Sequence, residues 1–478
     1  MAALRWISIA LLCLAGAAPA QPVARKISRA QVLRTGLERN LDLLSKRLER
    51  KKLEVGERGA FKAYSPTLLA DLGYRDTFVP STVPGQSRHL DYSLGASWKT
   101  PLGTVLSTEL FVDQNLFEAG GGIAHGAGVG FGLTQPLLKD GWLDGASLPL
   151  TEARLNTAIQ NESYKIDLNK LLLDLETAYW ELALAQSDVD LKTRSLERAR
   201  AQYEDTKENI RRGILADAEV YLVEENVVIF DQELVRAKQA LLLARRKLAE
   251  LMVLEADVAL EAEDVLVAGP GDAMNLENAV AIGVKTNPRV VAQKLRWELA
   301  QARARYQVNQ ALPSLGLNAG LALRGWDGDY GTAFGQVFSA PEPDARVGLT
   351  FSMPLDRAAV RSDLESATVE AERQQALLLK EENSVRFEVE NAITELTTSQ
   401  GLLELARKQV ELADLKLKAQ DAKYKSGLST LADVVRFQRD VDNAVGAYQR
   451  NIRSVKVGQA KLLNAQGTLL QTVAEKER

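Results

Sequence analysis

Cysteine is almost missing from this sequence: one residue, Cys13, in 478. It falls in a segment with the pattern of a secretory leader: Arg5 near the start, an apolar stretch from Ile7 to Leu14, and Ala18-Pro19-Ala20 at the cleavage positions. Leu11 and Leu12 precede Cys13 where a lipid-modified cysteine wants a small residue, which disfavours a lipoprotein. The chain expected from Gln21 onward therefore has no thiol, and that excludes disulfides and thiol chemistry. Long apolar runs are also missing. After residue 20 nothing reaches the roughly 20 residues that a membrane helix needs, so entry into a bilayer is possible only as strands.

Other absences narrow the function. Only two histidines are present, His89 and His125, in Gly- or Ser-containing surroundings that read as surface loops, and no metal-ligand spacing occurs. Lys and Arg number 59 against 63 Asp and Glu, a net charge of −4 with no basic block, which gives nucleic acid nothing to bind. There is no nucleophile motif and no phosphate-binding glycine loop after a strand, and the carboxylates sit on solvated helix faces. No catalytic, cofactor-binding or metal residues are expected, no cofactor, and no enzyme activity.

What the sequence does have is a heptad seam. Leu168, Leu171, Leu175, Ala178, Leu182, Ala185, Val189, Leu196, Ala199, Tyr203 and Ile210 alternate spacings of three and four, with Lys192 and Thr206 as polar slots, and the run ends at Gly213. The pattern returns 214 residues later from Val389 through Ala392, Leu396, Leu403, Ala406, Val410 and Ala413 to Tyr424, and ends at Gly427. A second offset, 247, relates Asn40-Leu41 and Pro66 to Asn287-Pro288 and Pro313. The chain is an internal duplication: a leader over 1–20, a first repeat over 21–272, a second over 273–470, and a polar tail over 471–478.

Each repeat follows one plan. A helix is expected over 28–63, with Val32, Leu33, Leu37, Leu41, Leu44, Leu48 and Leu53 on one face. Strands follow over 66–137, where Leu68, Ala70, Leu72 and Tyr74 share a face, and Ala127, Val129, Phe131 and Leu133 alternate with glycines. Two more alternating runs, Leu90 to Trp98 and Thr104 to Val112, form a hairpin around Pro101-Leu102-Gly103. The alternation fits a soluble sheet with one wet face as well as a membrane strand. From Ser147 to Arg212 a helix of roughly 100 Å is predicted at 1.5 Å per residue, too long for a compact globule. Its return is made in two stages, over 217–254 and 276–311, with a bulge at 255–275 around Gly269-Pro270-Gly271. The second repeat places strands at 315–325 and 345–353 and helices at 357–425 and 429–468. Neither four nor six strands close comfortably around a hollow interior, so a membrane barrel demands more than one copy.

The sequence resembles the TolC-like outer membrane factors, the outer membrane efflux protein family. The resemblance covers about residues 28–470 and rests on the duplication, on Leu133-Thr134-Gln135-Pro136-Leu137-Leu138, on Ala178-Tyr179-Trp180-Glu181-Leu182, and on Gly427-Leu428-Ser429-Thr430-Leu431-Ala432-Asp433-Val434. It implies a mainly α fold with β: a long α-helical coiled-coil barrel continuous with a transmembrane β-barrel of twelve strands, built by a homotrimer. It implies an outer-membrane exit duct whose tunnel crosses the periplasm. The partners implied are a periplasmic adaptor (membrane fusion protein), an inner-membrane transporter and outer-membrane lipid. The additional hairpin departs from that plan and stands as either an extracellular lid or added barrel strands.

The resemblance also nominates residues. Gly213, Ile214, Leu215, Gly427, Leu428 and Ser429 would form the tip that meets the adaptor. Asp433 has two readings, a Thr430-x-x-Asp433 capping box or an acidic ring at the pore constriction. Arg436 stands where related ducts often carry a second acid, and Glu219 is the first-repeat counterpart of Asp433. Trp98, Trp142, Tyr74, Tyr92, Trp326 and Tyr330 suit a membrane interface or a sheet core. The other readings are a periplasmic coiled-coil adaptor or scaffold without a pore, and an extracellular enzyme on a helical stalk, for which no site is present.

Overall fold

A computed structural model describes residues 25–79, 85–117, 124–255, 258–267 and 275–476. The expected leader with Cys13 and the Gly269-Pro270-Gly271 bulge lie outside the described residues. In chain order the elements are β1 (Arg25–Ile27), α1 (Arg29–Arg39), α2 (Leu41–Ala60), β2 (Thr67–Val79), β3 (Gly85–Lys99), β4 (Val105–Phe117) and β5 (Ala124–Pro136). Then come α3 (Trp142–Ala146), α4 (Leu148–Arg211), α5 (Glu219–Leu251), β6 (Leu260–Ala262), α6 (Leu276–Thr286) and α7 (Pro288–Gln310). The chain continues through β7 (Ser314–Asp327), α8 (Tyr330–Ser339), β8 (Glu342–Ser352), α9 (Ala358–Lys425), α10 (Leu431–Gln466) and α11 (Leu469–Lys476).

Two very long helices carry the rod. α4 has 64 residues and α9 has 68, about 100 Å each at 1.5 Å per residue. The heptad seam is what they bury: Leu175, Leu182 and Tyr179 beside them are fully inaccessible on α4, as is Val389 on α9. Each such leucine contributes about 1.5–3 kcal/mol through removal from water. α5 and α10 fold back along the lower halves of α4 and α9, and α10 also lies against α4, which joins the two hairpins.

The upper halves are lined by shorter helices, and here the expected single helices over 28–63 and 276–311 are each broken. α1 ends and α2 begins at Asn40 (φ −62°, ψ 122°), and α6 gives way to α7 at Asn287 (φ −64°, ψ 123°). Each asparagine caps the helix that follows it, accepting from Leu43 N–H or Arg289 N–H. Each also donates its amide to the end of a return helix, Asn40 to the Leu251 carbonyl at 3.2 Å and Asn287 to the Ala465 carbonyl at 2.8 Å. Apolar spacing runs on through both breaks, so periodicity alone does not reveal them.

A belt of small elements surrounds the middle of the rod. β1 pairs in parallel with β6, and Ile27, Leu260, Leu469 and Val473 join the α4 core in one cluster. The tail over 471–478 is accordingly not a polar extension: it is helical as far as Lys476, because Leu469 and Val473 are buried. Polar contacts fix the belt to α4. Arg29 Nε donates to both oxygens of the buried Glu176 at 2.7 and 2.9 Å, and the Tyr179 hydroxyl donates to Asp264. Burial first, and then that carboxylate, push the Tyr179 hydroxyl well above its ordinary pKa.

The strands form one antiparallel sheet in the order β2-β3-β4-β5-β7-β8. The hairpin read as either a lid or added strands is β3–β4, and it lies inside the sheet, paired to β2 on one side and β5 on the other. Its strands are longer than the alternating runs suggested. His89 lies in β3 opposite Arg75, and His125 lies in β5 with its ring edge-on to Tyr330, so neither is a loop residue. The register places Leu72, Tyr92, Val112 and Ala127 in one row and Leu321, Phe131, Thr108, Ala96 and Leu68 in another, all on the same face. The sequence reading missed α8, which is capped by Asp329 accepting from Thr332 N–H at 3.0 Å.

Candidate functional site

Two ends of the molecule carry the candidate residues. At the tip, both long helices close with the same glycine device. Gly213 (φ 74°) donates its N–H to the Ile210 carbonyl, and Ile214 N–H reaches back to Asn209 at 2.9 Å. Gly427 (φ 77°) donates to Tyr424, and Leu428 N–H reaches Lys423 at 2.9 Å. These are Schellman caps, which need a left-handed residue that glycine supplies without strain. Immediately beyond each, one large apolar side chain stands in water: Ile214 at 66% and Leu428 at 79% exposure. Leu215 and Ser429 are half-buried, and Ser429 accepts from the Gln420 amide.

Behind the second turn, Thr430 caps α10, and its side chain accepts from Asp433 N–H at 3.2 Å while its hydroxyl donates to Asp433 Oδ2 at 2.8 Å. Arg436, one turn on, approaches the other oxygen at 3.2 Å and stacks on Phe437. The Thr430 hydrogen bond, with Arg436 adding to it, holds the Asp433 carboxyl below the usual carboxylate range. Asp433 thus serves its own chain as a cap partner and an ion-pair partner. Glu219 sits apart from that cluster, at the start of α5, where its charge adds to burial in raising the Tyr424 hydroxyl of the other hairpin.

Sequence reasoning missed the polar residues next along α10. Arg439 donates to Asn226 on α5 at 2.8 and 2.9 Å, and Arg198 on α4 meets Asp442 at 2.5 Å. Asp442 is only 3% exposed. The signal was the three-residue step Asp433, Arg436, Arg439, Asp442, a polar line that winds round α10 from the tip toward the face packed on α4.

At the opposite end, the two faces of the sheet differ. One carries Leu68, Leu72, Leu94, Leu106, Phe131, Leu321, Val347 and Leu349, all exposed, with Leu72 at 74% and Leu349 at 69%. The other carries Asp71, Arg75, Asp91, Glu109, Asp113, Arg324, Asp344 and Arg346 with the glycines of β5 between them. Trp326 shares this polar face, whereas Trp98, Tyr74 and Tyr92 stand on the apolar one. Trp142, at the helix-proximal end, donates to the Leu137 carbonyl. α8 covers the apolar face at its far end: a methyl at Gly325 would collide with the Ala333 carbonyl, and Ala127 below it is fully buried. Tyr330 stacks on Phe334 along this helix, and Phe338 stands edge-on to Phe334.

A rod of long helices ending in a sheet with one apolar and one polar face is matched by known proteins. Residues 284–474 match the family model of the outer membrane efflux protein. That match covers most of the second repeat. The whole chain carries the fold of such efflux proteins. It aligns with the Campylobacter jejuni CmeC outer membrane channel at TM-score 0.64 and 13% identity, covering 94% of this chain and 89% of that one. The outer membrane protein VceC of Vibrio cholerae gives TM-score 0.63 and 14% identity over 92% and 96%. The open state of the Neisseria gonorrhoeae MtrE outer membrane channel gives 0.62 and 16% over 92% and 89%. No curated protein matches the sequence itself. Among the described residues no helix is long and apolar enough to cross a membrane.

Proposed function

We propose that the protein is a passive exit duct of the outer membrane. Three copies would close the sheet into a barrel and the hairpins into a tunnel, with energy supplied by an inner-membrane transporter reached through a periplasmic adaptor. The observation that carries this reading is the apolar face shared by all six strands, exposed except where α8 covers its far end. Strands of 11–15 residues meet or exceed the about 9–11 that a tilted strand needs to span a bilayer, and lipid is the solvent in which such a face is stable. A periplasmic scaffold without a pore would leave that face in water, which disfavours it.

Within this reading the tip is the adaptor surface, with Ile214 and Leu428 as its exposed apolar anchors and Gly213, Leu215, Gly427 and Ser429 shaping it. Asp433 and Arg436 would form rings at the tunnel mouth. Because each aspartate already has its own arginine, the ring is a set of neutralised pairs and binds cations weakly. Glu219 would add charge from the first hairpin. The test is fractionation of cells making the full chain, the mass of the detergent-extracted particle, and conductance in planar bilayers. A three-chain, conducting particle from the outer membrane supports the duct. A soluble monomer overturns it.

A further inference from the structure

The two repeats of one chain meet along a seam made of β5 on β7 and of α4 on α7 and α10. Every partner in that seam has a duplicate whose corresponding side is open. β8 corresponds to β5 and β2 to β7, and these two are the edges of the sheet. α9 corresponds to α4, and α5 to α10. On the closed seam Val435, Asp442 and Val457 of α10 are buried and Arg198 of α4 covers Asp442. Subtracting or adding the repeat offset of 214 turns these into Tyr221, Val228 and Leu243 on α5 and Leu412 on α9. All four are apolar, and all four are exposed, at 71%, 51%, 57% and 57%. The duplicated seam is thus built for contact but has no partner within the chain.

We propose that the seam recurs between copies, β8 and α9 of one against β2 and α5 of the next, so that three copies close an eighteen-stranded wall in place of the twelve implied by the family resemblance. The strands already alternate in direction and are six in number, so β8 meets β2 antiparallel and the count stays even, as a closed antiparallel barrel requires. Unpaired edges cannot stand in lipid. The register follows from the closed seam. Leu133 lies opposite Ala319 and Phe131 opposite Leu321. Aligning Pro136 with Pro354 and Pro313 with Pro66 converts these pairs to Phe351 opposite Leu72 and Leu349 opposite Tyr74. Both transferred pairs fall on the apolar face, an agreement the alignment did not impose.

The β3–β4 hairpin is what widens the wall. It continues the apolar face through Leu94 and Leu110 and the polar face through Ser93 and Glu109, as wall strands do and a lid need not. With strands about 4.8 Å apart and tilted by about 40°, eighteen strands enclose a backbone radius of about 18 Å against about 12 Å for twelve, about a 2.2-fold larger cross-section. The exit would then pass bulkier cargo than a twelve-stranded barrel does.

This inference rests on the duct reading, and cysteine chemistry separates the two. The full chain would carry Leu72→Cys with Phe351→Cys, Tyr74→Cys with Leu349→Cys, or Val228→Cys with Leu412→Cys. Each pair is expected to give disulfide-linked dimers and trimers under oxidation, while the single variants do not. On intact cells Ser93→Cys should react with a membrane-impermeant maleimide and Leu94→Cys should not. A conducting three-chain particle that fails to crosslink through any of the pairs, or that labels equally at 93 and 94, overturns the eighteen-stranded wall and leaves the duct standing. A soluble monomer that labels at both positions overturns both.

Discussion

The two repeats use the same scaffold at matched positions and differ in what they place there. Gly36 of α1 lies so close to Leu175 of α4 that a methyl would collide with it, and Gly283 of α6 stands in the same relation to Val389 of α9, where a methyl would come within 2.9 Å. Asn40 and Asn287 break their helices at the same angles. Yet the contact between the repeats holds a charged pair, Arg198–Asp442, where the open counterpart offers Leu412 and Val228. Backbone geometry is the shared part. The chemistry of each seam was free to diverge, because an ion pair and an apolar pair of similar volume have comparable worth once buried.

The largest effect should come from breaking that difference on one side only. Arg198→Ala leaves Asp442 buried without its cation, and a cost of about 3 kcal/mol is expected, read as a lowered urea midpoint of the extracted protein. Copying the other seam, Arg198→Leu with Asp442→Val, should recover most of that loss. A double variant as unstable as the single one would mean that the two seams are not equivalent surfaces.

Next in size are the helix ends. α10 closes on Gly467 at φ 73°, where a methyl would come within 2.7 Å of Asn287 Cα, so Gly467→Ala should cost more than the about 1–2 kcal/mol of a left-handed alanine alone. The matching residue after α5 is Val253 at φ 53°: its N–H donates to the Glu250 carbonyl and the next N–H, of Leu254, to Ala249, the same pair of bonds that Gly467 and Thr468 make. A β-branched residue is strained there. Val253→Gly should therefore stabilise the first repeat by about 1 kcal/mol, visible as a raised midpoint. Gly213→Ala and Gly427→Ala, whose added methyls meet nothing, should cost about 1–2 kcal/mol each and equally. Unequal costs would indicate that one tip is held by contacts the other lacks.

The smallest effect concerns Asp433. Its carboxyl is held below the ordinary range by Thr430 and then Arg436, so the contribution of this cap is present at neutral pH. It fades only as pH falls through the lowered value, beneath that of a free aspartate. Asp433→Asn should flatten that acid limb in unfolding measurements, and Glu219→Gln should leave it in place. In bilayers, Arg436→Ala should expose the carboxylate and raise cation selectivity.

Much of this was legible in the sequence because periodicity survives duplication. The seam from Leu168 to Ile210, its copy 214 residues later, and the glycines that end them all describe long-range order in a one-dimensional pattern. What escaped was local. α8 has 10 residues with two glycines, too few turns for a period to accumulate, although Tyr330, Phe334 and Phe338 mark its outer row. Leu41, Leu44 and Leu48 were read as a core face and are exposed at 62%, 47% and 57%, because a single chain leaves that side of α2 uncovered while Leu43 turns inward. The Arg439–Asn226 and Arg198–Asp442 contacts escaped because polar residues on a helix are normally solvated, and only the packing of α10 against α4 and α5 buries Asn226 and Asp442.

The belt around the rod sets an order of events in synthesis. β1 must wait for β6, 235 residues further along, so the start of the described chain stays unpaired while the first sheet strands and the whole first hairpin are made. The cluster that then receives Ile27 and Leu260 is completed only by Leu469 and Val473. A chain interrupted anywhere before α11 would keep a wet gap at its waist, open to proteases and chaperones. The girdle therefore ties together the first and last described elements of the chain, and closes only once α11 has been made.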